Sequence, residues 1–409
     1  MNILFLTLSD FSSLDFIGIY PDLLNVFLNA GHRLYIISPT ENRKKIDTHI
    51  VEDENVRILK LKIGNVTKTN LLQKGLSTLT IESKFKQGIK SFFHDVKFDL
   101  ILYSTPPITL YNAIRYVKKR DNAKTYLMLK DIFPQNALDI NILKKNGIKG
   151  LIYRYFKIKE KNLYLLSDFI GCMSPANKEF LLANNAYIDK KRVGLCPNAL
   201  KFREVSVSEK EKEELREHYG LPENKMIFVY GGNLGKPQGI DYVIQCLEAA
   251  KDINDVFFLI IGSGTEYYKI EDYIKTSKNK RIKLIRELPT AEFDKMLVCC
   301  DIGLIFLDHR FTIPNFPSRV LSYMQAQLPV LSVTDMVTDI GRITVENGFG
   351  FWCESNNCQK FVETVNKIIS EKEKLLQMKP IAKAFLCKEY DPAKVCQSII
   401  NTVQTGEIQ

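Results

Sequence analysis

The chain is poor in the residues that metal and acid–base chemistries draw on. Five histidines, His32, His49, His94, His218 and His309, are scattered along 409 residues with no ligand spacing. No Asp-x-Asp pair is present to hold a nucleotide-bound metal, and the nine cysteines include no Cys-x-x-Cys pair. Such an odd set of thiols argues for free cysteines in a reducing compartment. Long hydrophobic runs are missing as well: no window reaches the roughly 18 apolar residues of a membrane-spanning helix. Residues 2–8 are apolar, yet no basic segment precedes them and Asp10 follows at once. They read as a first strand and not as a signal peptide. Low-complexity tracts are absent too.

What is present is an ordinary globular composition, 45% hydrophobic and 25% charged, with a net charge of +10. The length exceeds the roughly 250–300 residues that one core supports, so two domains are expected. The positive charge is concentrated. Residues 60–90 carry seven lysines (60, 62, 68, 74, 84, 86 and 90) against the single acid Glu82. Residues 144–161 carry seven bases against Glu160. Leu71, Leu72, Leu76, Leu79, Phe85, Ile89, Phe92 and Phe93 lie among the first set. This mixture suits either an anionic membrane surface or the solvated faces of ordinary helices. No aromatic–basic module supports nucleic acid as a partner.

Strand and helix patterns alternate throughout. Strands are expected at 3–8, 33–38, 56–61, 100–104, 125–130, 169–173 and 193–196, with helices at 23–29, 108–119, 151–166 and 175–184. Residues 204–217 are charge-rich and read as a passage between domains. A second series follows: strands at 226–230, 256–261, 282–285, 302–307 and 330–333, and helices at 240–251, 268–275, 291–299, 358–370 and 393–403. The fold class is therefore α/β, two doubly wound domains over 1–203 and 204–388, with a last segment at 389–409. Ligands of such sheets bind beyond the carboxyl ends of the strands. The loops of interest are 9–18, 105–107, 130–136, 231–239, 262–265, 286–288 and 307–319.

Residues 313–333 hold the most pointed signal. Ser318 stands where a helix begins, Val320, Met324 and Leu328 recur at helical spacing, and Pro329 reads as its end. A loop feeding a helix N-terminus beside a strand offers amide donors and a positive dipole end to an anion. Arg319 adds a planar cation suited to phosphate, unless it serves a salt bridge at the helix start.

Seven short motifs, in order, resemble those of retaining glycosyltransferases of the GT-B type, family 4, in the branch that builds bacterial surface polysaccharides such as O-antigen and capsule. They are Ala30-Gly31-His32, Asp131-Ile132-Phe133-Pro134, Pro197-Asn198, Gly231 to Lys236 with Gln238-Gly239, Gly262-Ser263-Gly264, Pro317-Ser318-Arg319 and Gly348-Phe349-Gly350. The resemblance implies two Rossmann-like domains facing across a cleft, with the C-terminal helix returning to the N-terminal domain. It implies a nucleotide-sugar donor, UDP by expectation, and a saccharide acceptor, including one linked to polyprenyl diphosphate. Metal is not required in such enzymes. The expected place is cytoplasmic, peripheral on the inner face of the plasma membrane. The pattern departs from the family where its two glutamates belong: Pro314 and Ser322 stand there, with Asn315 next door.

For catalysis the candidates are Asp131, Lys236 and Arg319. Asp131 would orient the acceptor hydroxyl or contact the donor sugar, or else only close a turn. Lys236 would carry phosphate charge alone, because Pro237 and Gln238 replace the family's Arg and Lys; otherwise it is a surface lysine. The resemblance assigns donor contacts to Gly232, Asn233, Gly262, Gly264, Arg286, Leu288, Asn315, Ser318 and Ser322. The helix N-termini after Gly239 and Ser318 would share the charge. Two other readings keep the fold: a non-catalytic nucleotide-sugar binder, and a UDP-sugar 2-epimerase.

Overall fold

The computed structural model describes residues 1–65 and 71–408, and for 71–79 the backbone alone. Lys68 therefore lies outside the described residues, as do the side chains of Leu71, Leu72, Lys74, Leu76 and Leu79. The chain divides into two units: Met1–Leu200 with Pro392–Gln409, and Lys201–Asp391.

Among the described residues the first unit is built on eight strands: β1 (Asn2–Leu6), β2 (Arg33–Glu41), β3 (His49–Asp53), β4 (Val56–Ile63), β5 (Leu100–Ser104), β6 (Lys124–Leu129), β7 (Phe169–Cys172) and β8 (Val193–Leu195). They lie in the order β3-β4-β2-β1-β5-β6-β7-β8. All neighbours are parallel except β3, which hairpins onto β4. The sequence reading missed that hairpin, because His49–Asp53 is an edge strand with no buried face to give it a period. Parallel strands covered on both faces are uniformly apolar, and β1, β5 and β6 have nearly every residue inside. The helix Pro392–Thr405 belongs here. Its Val395, Cys396, Ile399 and Ile400 enter the same core as Leu23, Leu24 and Phe27, each such side chain contributing about 1.5–3 kcal/mol when fully buried.

The 60–90 basic stretch is not one surface. Lys60 is buried and paired with Asp10, donating also to the Phe11 carbonyl and the Ser38 hydroxyl. Phe85, Ile89 and Phe93, on or just past the helix Leu71–Phe92, are core residues. Those three apolar residues of the stretch thus serve the core.

The second unit carries β9 (Met226–Gly231), β10 (Val256–Ile261), β11 (Ile282–Ile285), β12 (Ile302–Phe306), β13 (Val330–Thr334) and β14 (Gly350–Glu354), all parallel, ordered β11-β10-β9-β12-β13-β14. Every carboxyl end therefore lies along one edge, and the order reverses between β9 and β12. The charge-rich passage is largely a helix of this unit, Glu209–His218, started by a capping box between Ser208 and Glu211. Helix Arg319–Gln325 ends before Pro329. Gln327 takes a left-handed conformation (φ 57°), and the amides of Gln327 and Leu328 bond to the Met324 and Tyr323 carbonyls. A Schellman turn, not the proline, stops it.

Candidate functional site

The edge of the second sheet is shaped by one tyrosine. β9 and β12 pair only through Ile302↔Phe228 and Gly303↔Val229, then part. Tyr323, on the helix Arg319–Gln325, fills the gap. Its buried hydroxyl accepts from the Gly231 amide at 3.1 Å and donates to the Leu304 carbonyl at 2.8 Å. The hydroxyl thus stands in for the ladder bonds that the separating strands give up. Gly303 makes room for the ring, since a Cβ there would lie 2.5 Å from it.

Arg319 sits one helical turn before Tyr323 and so at the same opening. Its guanidinium carbon lies 4.3 Å from the centre of the Tyr230 ring, a cation–π contact at the end of β9. A Cβ on Gly232 would come within 3.0–3.3 Å of the guanidinium. Nη1 of Arg319 is buried and has no hydrogen-bond partner among the described residues. A guanidinium left unmatched in a protein interior is costly, and an anion supplies what is missing. Among the described residues no carboxylate pairs with Arg319, so the alternative of a salt bridge at the helix start is not seen. Ser322 shares the helix face of Arg319, three residues on.

The glycine loop is held in place from behind. A Cβ on Gly262 would lie 1.8 Å from the Gly232 carbonyl oxygen, and one on Gly264 would lie 2.2 Å from that of Leu234. These two glycines thus let the loop lie down on the end of β10. The amides of Gly232 and Leu234 bond to the Ile261 and Ser263 carbonyls. The Gln238 side chain accepts from the Gly235 amide and from the Asn233 side chain, both at 3.1 Å, and Tyr230 donates to the Asn233 carbonyl at 2.6 Å. The loop therefore spends most of its amides within the protein, and what it offers an anion is mainly the cation beside it.

Other candidates are distributed around this edge. Lys236 is exposed in a short 3-10 turn, and its ammonium makes no hydrogen bond or ion pair with the described residues. Arg286 lies over the Tyr267 ring at 5.1 Å, just beyond β11, with Leu288 two residues on. The Ser263 hydroxyl meets Glu287, which ties that loop to the end of β10. The Asn315 amide donates to Thr338 at 3.1 Å. Ser318 is itself in helical conformation and does not cap the helix, contrary to the sequence reading. The Val320 and Leu321 amides bond to the Pro317 and Ser318 carbonyls, which removes two of the expected donors.

Sequence reasoning missed three contributors: Tyr230, Tyr323, and the pair Asp308–Arg310. Asp308 is buried at the end of β12, against Gly239 at the start of the helix Ile240–Ala249. Burial would raise its carboxyl, but two bonds from the Arg310 guanidinium, at 2.8 and 2.6 Å, hold it below the ordinary range. Tyrosines within an apolar period gave no signal apart from core.

Asp131 belongs to the first unit. It follows β6 beside Thr105, whose hydroxyl donates to the Asp131 carbonyl and accepts from the Lys130 amide, each at 3.1 Å. Burial pushes its carboxyl up to about 6, opposed by the Asn136 side chain at 2.7 Å and the Ile132 amide. The neighbouring Lys130 ammonium donates to the Cys196 carbonyl at 3.2 Å and is pulled below its usual value by burial.

Residues 211–385 match the family described as glycosyl transferases group 1. A protein of Pseudomonas aeruginosa named as a glycosyltransferase, WbjE, is 26% identical over 313 residues, 75% of this chain and 74% of its own. A protein of Escherichia coli named for colanic acid biosynthesis, the glycosyl transferase WcaI, is 20% identical over the same shares. Among solved structures, sucrose-phosphate synthase of Thermosynechococcus elongatus superposes with a TM-score of 0.76 at 14% identity, covering 99% of this chain and 98% of its own. HepE of Anabaena, in complex with UDP and glucose, gives 0.69 at 14% identity over 99% and 100%. Residues 211–385, all within the second unit, are thus similar to the group 1 glycosyl transferases, and the two Rossmann-like units share the fold of these solved structures.

Proposed function

We propose that the chain is a retaining glycosyltransferase. It moves a hexosyl or N-acetylhexosaminyl group from a UDP-sugar to a saccharide acceptor, linked to polyprenyl diphosphate, during synthesis of a bacterial surface polysaccharide at the inner face of the plasma membrane. The observation that carries the reading is Arg319, a guanidinium stacked on Tyr230 beside Gly232 with one nitrogen buried and unpartnered. Support for UDP comes from the ligand of HepE, and for the pathway from the naming of WcaI.

In the transfer, the bond between the anomeric carbon and the β-phosphate oxygen breaks, and negative charge gathers on that phosphate. Arg319 stabilises it as it develops, with Arg310 and Lys236 the next cations along the edge. The acceptor hydroxyl bonds to the anomeric carbon on the same face, and its proton passes to the departing phosphate oxygen. No protein base and no metal is assigned. Asp131 takes the acceptor-side role, as a carboxylate receiving a hydrogen bond from the hydroxyl.

The test pairs UDP titration calorimetry with analysis of the product by NMR. Binding of UDP, followed by transfer that keeps the donor's anomeric configuration, is expected. An inverted product would overturn retention. UDP binding with neither transfer nor donor hydrolysis would select the non-catalytic binder, the reading that Pro314 and Ser322 motivate.

A further inference from the structure

The helix Gly147–Leu166 is apolar on two opposite faces. One faces inward, with Gly150, Leu163 and Tyr164 buried. The other faces solvent: Ile148 is 79% exposed, Leu151 64%, Ile158 61% and Leu165 48%, with Tyr155 between them. At 100° per residue these five fall within one outward sector of about 100°, opposite the buried side. Among the described residues of the first unit, none covers this sector.

Its charges carry one sign. Lys159 borders one edge of the apolar stripe, where it pairs with Glu82, and Arg154 and Lys161 border the other, with Lys149 and Lys157 farther round the helix. The helix's one acid, Glu160, is buried and held by Lys157 and Tyr164, so no carboxylate of this helix points outward. A second copy laid on the stripe would set cation against cation. An apolar stripe edged with bases on a helix too charged to cross a bilayer is what an anionic lipid surface accepts.

We propose that the outward face of Gly147–Leu166 is a membrane-seating element, which inserts Ile148, Leu151 and Ile158 among acyl chains while the flanking bases meet anionic headgroups. It deepens the proposed function by assigning the lipid contact to this helix, and not to the lysines near 84–90, and it rests on that reading only for its purpose.

Vesicle sedimentation tests it without donor or acceptor, using the whole chain and vesicles of phosphatidylglycerol with phosphatidylethanolamine, against phosphatidylcholine alone. Wild-type protein should partition onto the anionic vesicles only. The double change Arg154→Gln, Lys161→Gln should weaken that partition roughly 30-fold. The triple change Ile148→Ser, Leu151→Ser, Ile158→Ser should weaken it at least about tenfold even at low salt, since apolar insertion is lost. Both should keep the wild-type UDP affinity, which establishes folding and separates this proposal from the glycosyltransferase reading. A Leu151→Trp variant should show a blue-shifted emission on anionic vesicles. No partition of the wild type, unchanged partition of the serine variant, or an unshifted tryptophan would each overturn the proposal. A wild-type dimer in light scattering that the serine variant dissolves would overturn it in favour of a second copy.

Discussion

The two units share one strand plan and put different chemistry at its edge. In both, the first strand lies at the centre and the order reverses beside it, β1 against β5 and β9 against β12. In the second unit the strands part around a tyrosine hydroxyl, a glycine loop lies across the end of β10, and a guanidinium is left with an unmatched nitrogen. At the edge of the first unit the buried cations Lys60 and Lys130 are already matched. Lys60 is buried on Asp10, whose carboxyl burial would raise but which Lys44 and Lys60 hold below the ordinary range. Lys130 donates to a carbonyl, and the nearby Asp131 holds its proton up to about 6. The comparison teaches that strand order decides where a ligand edge lies, while pairing of the cations decides whether an anion is wanted there.

The strongest way to break this contrast is Arg319→Ala. Loss of a charge-assisted contact to phosphate should cost about 1.5–3 kcal/mol in UDP affinity, and transfer should fall at least about 100-fold. Calorimetry and a radiolabelled transfer assay measure the two losses. Next comes a matched pair of glycines. Gly262→Ala forces the loop off β10 and should lower UDP affinity roughly 10–100-fold, with about 1–3 kcal/mol of stability lost to overpacking. Gly171→Ala, whose Cβ would meet that of Cys196 at 2.2 Å, should cost similar stability in urea unfolding yet leave UDP affinity unchanged.

Tyr323→Phe removes the hydroxyl between the parting strands and strands the Gly231 amide and Leu304 carbonyl. A loss of about 1–3 kcal/mol in urea unfolding is expected, with a smaller fall in UDP affinity. For the first unit the sensitive variable is pH. Asp131 must be ionised to accept from an acceptor hydroxyl, so transfer should fall as pH drops through about 6, and Asp131→Asn should lose that inflection. The stability sign runs the other way. A carboxyl whose folded value is raised from 3.8 to about 6 favours the native state at low pH, and that contribution fades as pH climbs between those values. The Asn variant should unfold with a flatter pH dependence across that window. Lys236→Ala should be the mildest change, under about fivefold in transfer, because an exposed ammonium contributes little alone.

Most of the sheet was legible, because buried parallel strands write themselves as short apolar runs bounded by turn residues. β5, β10 and β11 have the bounds read from the sequence. What escaped had a reason in each case. His49–Asp53 is an exposed edge, and Lys372–Glu389 carries Pro380 inside it. Ile340–Glu346 is too short to show a period. Gly350–Glu354 is a strand that begins in the Gly-Phe-Gly turn motif and was absorbed into it. Glu209–His218 announced itself by its capping box but was hidden by charge. At the candidate site, Arg319 was legible as a cation at a helix start, and the loop with Gly232 and Asn233 through the motif resemblance. Tyr230, Tyr323 and Arg310 were not, because each acts through a contact made only after folding: a stacked ring, a hydroxyl between strands, a carboxylate on β12.

A crystal soaked with UDP tests the central claim most directly. The account predicts the diphosphate within hydrogen-bond distance of the Arg319 guanidinium, beside Gly232 at the parting of β9 and β12. UDP bound instead against Lys60 and Asp10, or with Arg319 turned away from it, would contradict the account.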